Sequence, residues 1–261
     1  MMRRLVIAAA ALASLTLGIA APMPTGGARA AEEGPALPHV YWSFSGPFGT
    51  FDRGAAQRGF QVYKEVCAAC HSLHQLSYRN LRQLGLSEDE VKAIAAGYQI
   101  QDGPNDTGEM FERPGRPSDR FRSPFANENA ARTANNGALP PDLSVIVKAR
   151  EGGADYIHAL LTGYGDPPAG VTLMQGMQYN KYFPGHQIAM IPPLSDDRVS
   201  YADGTKPTLE QLSRDVSTFL AWAAEPELEA RRAMGVKIIL FLLVITVLAY
   251  AVKRKIWANL H

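Results

Sequence analysis

The sequence reads as an all-α domain with long loop insertions, followed by one C-terminal transmembrane helix. Helix signals recur along the chain: Ser87 and Thr208 stand as N-cap residues, and Leu212, Val216, Phe219 and Leu220 fall at helical spacing. Asp102–Arg132 and Pro167–Tyr201 are rich in Gly, Pro and Asn and carry few periodic runs, which predicts long loops. Met234–Val252 is an almost unbroken apolar run.

In chain order, Met1-Met2-Arg3-Arg4 is a basic start, Leu5–Ala21 is apolar, and Ala28-Arg29-Ala30 closes a small-residue stretch. That order predicts a secretory signal peptide over residues 1–30, cut after Ala30. A first membrane anchor would need about 20 apolar residues and would leave the A-x-A unexplained. Arg58–Val66 and Leu73–Leu81 read as helix on either side of a cysteine motif. Ser87-Glu88-Asp89-Glu90 opens another helix with a capping box. Asp142 is placed to cap Leu143–Arg150, and Thr208 to cap Leu209–Glu225. Pro226 breaks the chain at the N1 position of the last helix. Met234–Val252 then covers about 28 Å, close to the thickness of bilayer hydrocarbon. Only Lys237 interrupts its first turn, and its ammonium can snorkel to headgroups. Arg231-Arg232 and Lys253-Arg254-Lys255 bracket the span evenly, so the positive-inside rule does not orient it. The signal peptide does: residues 31–233 are expected outside, and the tail 253–261 in the cytoplasm.

The formal charge of +1 hides an acidic exterior. Seven of the 26 basic residues lie in the two ends, so residues 31–233 carry 19 Lys and Arg against 25 Asp and Glu. Glu32-Glu33, Glu88–Glu90 and Asp102–Glu112 are its acid-rich patches. Any one patch is explained by solvation alone; the whole favours a basic partner and argues against nucleic acid.

Only two cysteines are present, and they stand as Cys67-Ala68-Ala69-Cys70-His71. A disulfide there closes too short a loop to stabilise much. A zinc site lacks its second ligand pair, and a thiol redox pair belongs beside a βαβ pattern. Cys-x-x-Cys-His is the attachment signature of one c-type haem. Two thiols three residues apart reach the two vinyl groups as thioethers, and His71 meets the iron from the proximal side. An open sixth position would suit small-molecule chemistry, and a filled one electron transfer. Met110, Met174, Met177, Met190, His39, His158 and His186 are candidates for it. His74, a turn beyond His71, cannot reach the opposite face. Met190 precedes Ile191-Pro192-Pro193, whose prolines favour an extended strand across the haem. Met174 and Met177 lie in an equally irregular loop, with core packing the default role for unused methionines.

The chain resembles the cytochrome c1 family, the haem c subunit of bacterial-type cytochrome bc1 complexes. RGFQVYKEVCAACHS (Arg58–Ser72), QDGPNDTGEMFERPGRPSD (Gln101–Asp119), AARTANNGALPPDLSVIVKAREGG (Ala130–Gly153), LLTGYGDPP (Leu160–Pro168), YFPGHQIAMIPPL (Tyr182–Leu194) and DVSTFLAWAAEPELEARRAMGVK (Asp215–Lys237) carry the resemblance. It implies a cytochrome c-like haem domain over residues 31–233, with His71 and Met190 as axial ligands. Arg150 and Tyr156 are implied near the haem propionates; the plainer role for Arg150 is a surface charge. The resemblance also implies a one-electron carrier that is not an enzyme by itself, in a dimeric complex with cytochrome b and a Rieske iron–sulfur protein. The electron passes on to a cytochrome c, and the haem domain lies on the periplasmic side of the bacterial inner membrane. Some relatives carry a cysteine pair that stiffens the methionine loop. This chain has none left for it, so another feature must hold that loop.

Overall fold

The computed structural model describes residues 35–258. The expected signal peptide at residues 1–30 and the last residues of the tail fall outside them. Six α-helices follow in order: α1 (Arg53–Glu65), α2 (Glu88–Ala96), α3 (Glu128–Ala134), α4 (Gly153–Thr162), α5 (Leu209–Ala224) and α6 (Leu228–Trp257). Two short antiparallel ribbons interrupt them: β1 (Gln99–Asp102) with β2 (Phe111–Pro114), and β3 (Gln178–Tyr179) with β4 (Gln187–Ile188).

The core forms where α1 crosses α5 and α4 packs on the other flank of α5. Phe60, Tyr63, Phe121, Phe219 and Trp222 meet there edge-on and tilted. Leu73, Leu76, Leu81 and Leu84 close the same core from below. A buried ion pair pins the crossing: Asp215 accepts from Arg58 Nε at 2.9 Å and from its terminal nitrogen at 3.1 Å. Gln211 adds a third hydrogen bond to the carboxylate at 3.0 Å, so the buried charge is satisfied.

The capping expectations hold at α2 and α5. Ser87 accepts from Glu90 N while Glu90 returns a bond to the Ser87 amide, and Thr208 accepts from Gln211 N. α1 begins earlier than predicted, because Asp52 caps it through Ala55 N. Four expectations need correction. Residues 73–77 are not helical; a 3₁₀ helix begins only at Tyr78 and runs to Leu84. His74 therefore does not share a helical face with His71. Leu143–Arg150 is a run of turns, because Asp142 spends one oxygen on Ser144 N and the other on Ser72 and His74. Pro226 precedes Glu227, which caps α6, and so lies outside the helix. The two predicted loops contain α3 and all or part of each ribbon.

α6 runs 30 residues with a window of mean hydropathy 2.5, long and apolar enough to cross a membrane. Its first residue Leu228 is buried in the domain core, whereas its large apolar side chains from Met234 to Trp257 are exposed. A core helix would bury one face; this one leaves its apolar surface uncovered by the chain.

Candidate functional site

The site grows out of the end of α1. The helix stops at Glu65, and Cys67–Ala69 tightens into one 3₁₀ turn, with His71 N and Cys70 N both bonded to Cys67 O. This turn sets Cys67, Cys70 and His71 side by side. Both cysteines are half-buried free thiols. Burial pushes the Cys67 thiol up to about 12, with Cys70 reinforcing the shift, so it stays protonated. A redox-active pair needs the opposite, a thiol lowered toward neutrality.

His71 is fixed by a strap. Its Nδ1 donates to the Pro141 carbonyl at 2.8 Å, which leaves Nε2 as the nitrogen with a free lone pair. Burial lowers the imidazole pKa, against smaller opposing effects of the Pro141 carbonyl and Asp142. A neutral imidazole with one nitrogen tied down is the form that binds a metal. The strap is zipped to the chain after His71: Leu143 N donates to Ser72 O at 2.9 Å, Ser72 Oγ and His74 N to Asp142 at 2.8 Å, and Gln75 N to Ser144 Oγ at 3.0 Å. Tyr63 of α1 bonds the His71 carbonyl at 3.0 Å.

Tyr156, expected near the propionates, lies on α4, and Arg150 just before it. Tyr156 is buried on that helix; burial raises its phenol pKa while the Arg150 charge opposes the shift, so these two are brought within electrostatic reach. The Tyr164 phenol is also raised, by burial and then by Tyr156. It donates to the Met190 carbonyl at 3.1 Å, tying the methionine segment to the end of α4. Arg150 is otherwise exposed and bonds its neighbour's carbonyl.

The remaining sixth-ligand candidates are placed as follows. Met110, Met174 and His39 are exposed. His158 is buried with Nδ1 against Ser213 Oγ at 3.0 Å and Nε2 against Glu210 at 3.2 Å, so both nitrogens are engaged. His74 is exposed beside Ser123. Met177, His186 and Met190 are half-buried, all in the segment around β3 and β4.

Sequence reasoning missed what holds that segment. Asn180, fully buried, donates to Leu160 O at 2.8 Å and accepts from Tyr182 N and Phe183 N at 3.0 and 3.2 Å. Its own amide bonds His186 O, and Lys181 N bonds Gly163 O at 2.9 Å. Gly163 is required by this approach: a Cβ there would meet Tyr182 at 2.6 Å and Asn180 at 3.2 Å. Asn180 and Tyr164 thus hold the methionine loop to the end of α4. The asparagine stands in no local pattern, and Pro141 acts through a backbone carbonyl, which side-chain chemistry does not reveal.

The donor set suits a c-type haem: two thiols on one turn, an oriented imidazole beside them, and a thioether on a tethered loop. It does not suit zinc, since among the described residues no group of three or more His, Cys, Asp or Glu side chains converges.

Residues 42–260 match the profile of the Cytochrome C1 family. The chain is 47% identical over 250 residues to cytochrome c1 of Rhodospirillum rubrum, covering 90% of this chain and 92% of that protein. It is 50% identical over 232 residues to the mitochondrial cytochrome c1 haem protein of Saccharomyces cerevisiae, covering 88% and 75%. It is 52% identical over 256 residues to cytochrome b/c1 of Bradyrhizobium diazoefficiens, a longer protein of which it spans 37%. With its cysteine–histidine turn, its tethered methionine loop and an apolar last helix all inside the matched region, this chain belongs to the cytochrome c1 family.

Proposed function

We propose that this chain is the haem-bearing electron carrier of a cytochrome bc1 complex. One haem c would be held through Cys67 and Cys70, with His71 Nε2 and the Met190 sulfur as the groups that bind its iron. The observation that carries the reading is the His71–Pro141 bond beside both thiols, which presents a single oriented nitrogen where the haem would be attached. When bound, the haem supplies a one-electron redox centre, and ligation from both sides leaves no position for substrate. The protein's part is to fix the two ligands and to bring the Arg150 charge toward the propionates. A guanidinium there favours ionised carboxylates.

The electron arrives from a Rieske iron–sulfur protein and leaves to a cytochrome c. The relative in Candida albicans bears the name of the catalytic subunit of the cytochrome b-c1 complex, which agrees with such an assembly. α6 crosses the bacterial inner membrane, with residues 31–233 on the periplasmic side and residues 253–261 in the cytoplasm. The excess of acidic residues steers a basic carrier to the haem edge, so turnover with a basic cytochrome c falls as ionic strength rises.

The test is extraction of the purified chain into acidified organic solvent, followed by carbon monoxide addition to the reduced protein. The proposal expects the haem to stay with the polypeptide and the spectrum to barely change. Released haem overturns the thioether assignment, and a strong carbon monoxide shift overturns the filled sixth position.

A further inference from the structure

The turn between Trp42 and Phe51 has no part in the site described above. It is tightly closed, with Ser45 N bonded to Trp42 O and Thr50 N to Ser43 O, both at 3.0 Å. Gly49 allows this closure, since a Cβ there would lie 2.2 Å from Ser45 O. The tip carries Pro47 and Phe48, and Phe48 is 81% exposed. An ordered turn that holds a phenylalanine outward asks for a partner.

The same turn is fastened to the start of α6. Arg232 donates to the carbonyls of Phe44 and Gly49 at 2.9 and 2.7 Å. Glu229 accepts from Phe51 N at 2.8 Å and pairs with Arg53 at 2.7 Å. Phe48 and Pro47 form one wall of a cleft of about 190 Å³, and Arg232, Ala233 and Val236 of α6 form the other.

The depth of this cleft follows from the helix. Ile238–Val252 is free of charge and spans about 22 Å. The hydrocarbon of a bilayer is about 30 Å thick, so several more residues must lie within it. Lys253-Arg254-Lys255 closes the far end, so those residues come from the near end, Met234–Lys237, with Lys237 snorkelling outward. The hydrocarbon boundary then falls at Ala233–Met234, beside Phe48.

We infer that the Ser45–Thr50 turn is an interfacial membrane contact, with Phe48 inserted among lipid acyl chains where α6 enters the bilayer. The partner is the lipid itself. A phenylalanine at that level buries apolar area that water would otherwise cover, while Arg231 and Arg232 stand at headgroup level, where anionic lipids favour them. The inference rests on α6 being a membrane span, so that premise is measured separately.

The experiment is nitroxide scanning of the full haem-loaded chain in phosphatidylcholine–phosphatidylglycerol vesicles. Three single variants are labelled: Phe48→Cys, Val244→Cys in mid-span, and Thr107→Cys at the exposed tip between β1 and β2. The unsubstituted chain, whose Cys67 and Cys70 are taken up by the haem, gives the background labelling. Collision with oxygen, which partitions into lipid, is compared with collision with a water-soluble nickel chelate. The expected result is a several-fold higher oxygen-to-nickel ratio at 48 than at 107, approaching the value at 244. Aqueous values at 48 with lipid values at 244 overturn the turn's role and leave the span intact. Aqueous values at both overturn the span and the turn together. Protection of position 48 from both reagents overturns the lipid assignment in favour of a protein covering the turn.

Discussion

Residues 66–75 and residues 178–190 carry the two halves of the site, and different bonds hold them. The histidine half continues directly from α1 and is zipped along the 141–144 strap, with a carboxylate, Asp142, at its centre. Its neighbours Leu73 and Leu76 are among the most buried residues of the core. The methionine half hangs from the end of α4 through a neutral amide, Asn180, and one phenol, Tyr164. Its sheet pairing amounts to a two-residue ribbon and a single bridge between Tyr164 and Asn180. The histidine side is thus built into the core, whereas the methionine side, held by fewer bonds, is expected to open first.

The sharpest break of this contrast is ligand removal. His71→Ala is expected to abolish the six-coordinate spectrum, whereas Met190→Leu keeps the haem attached and turns negligible carbon monoxide binding by the reduced protein into complete binding. Titration of both variants with carbon monoxide checks this. Next in size, Asn180→Ala leaves three half-buried backbone groups without their partner and should cost about 2 kcal/mol. Thermal melts should show the weak sulfur-to-iron band of the oxidised protein disappearing well before the helical signal. Simultaneous loss would mean that the two halves are one unit. Asp142→Ala removes three accepted bonds from a half-buried site, at about 2 kcal/mol. There the band and the helical signal should fall together in urea.

Acid separates the halves by charge. Burial raises the Asp142 pKa, but hydrogen bonds from Ser144, His74 and Ser72 outweigh this and leave it lowered. With the folded value below the unfolded value of about 3.9, its stabilisation is complete above that pH. It is lost as pH falls through the lower folded value. Urea unfolding of wild type below about pH 4 should show that loss, and Asp142→Asn should reduce its slope; Asn180 contributes no such slope. The smallest effect is expected of Tyr164→Phe, about 1 kcal/mol. It should lower the temperature at which the band fades and leave global unfolding nearly unchanged.

What the sequence disclosed follows the range of the forces involved. α2 and α5 could be read because their caps and periodicity lie within a few residues, as could the Cys67–His71 turn. α4 escaped notice because it starts at Gly152-Gly153, both in the left-handed region and without a side-chain cap, which reads as a break. α3 is capped by Asn127, inside a stretch whose composition signalled a loop. Asp142 looked like a helix cap and does accept from Ser144 N, but its second oxygen answers residues about 70 positions away. Tyr164 and Asn180 likewise gain their roles only when the chain returns to the end of α4. Their bonds span 26 and 20 positions, beyond any local pattern.

The locked start of α6 has one more implication. With Leu228 inside the core and Glu229 and Arg232 clasping the turn beside it, the start of the apolar helix is bonded directly to the domain. As the proposed electron carrier it would be a post rather than a tethered float, a fixed address for the proposed exchange partners. On that proposal, any travel needed to close the gap between successive redox centres would fall to those partners.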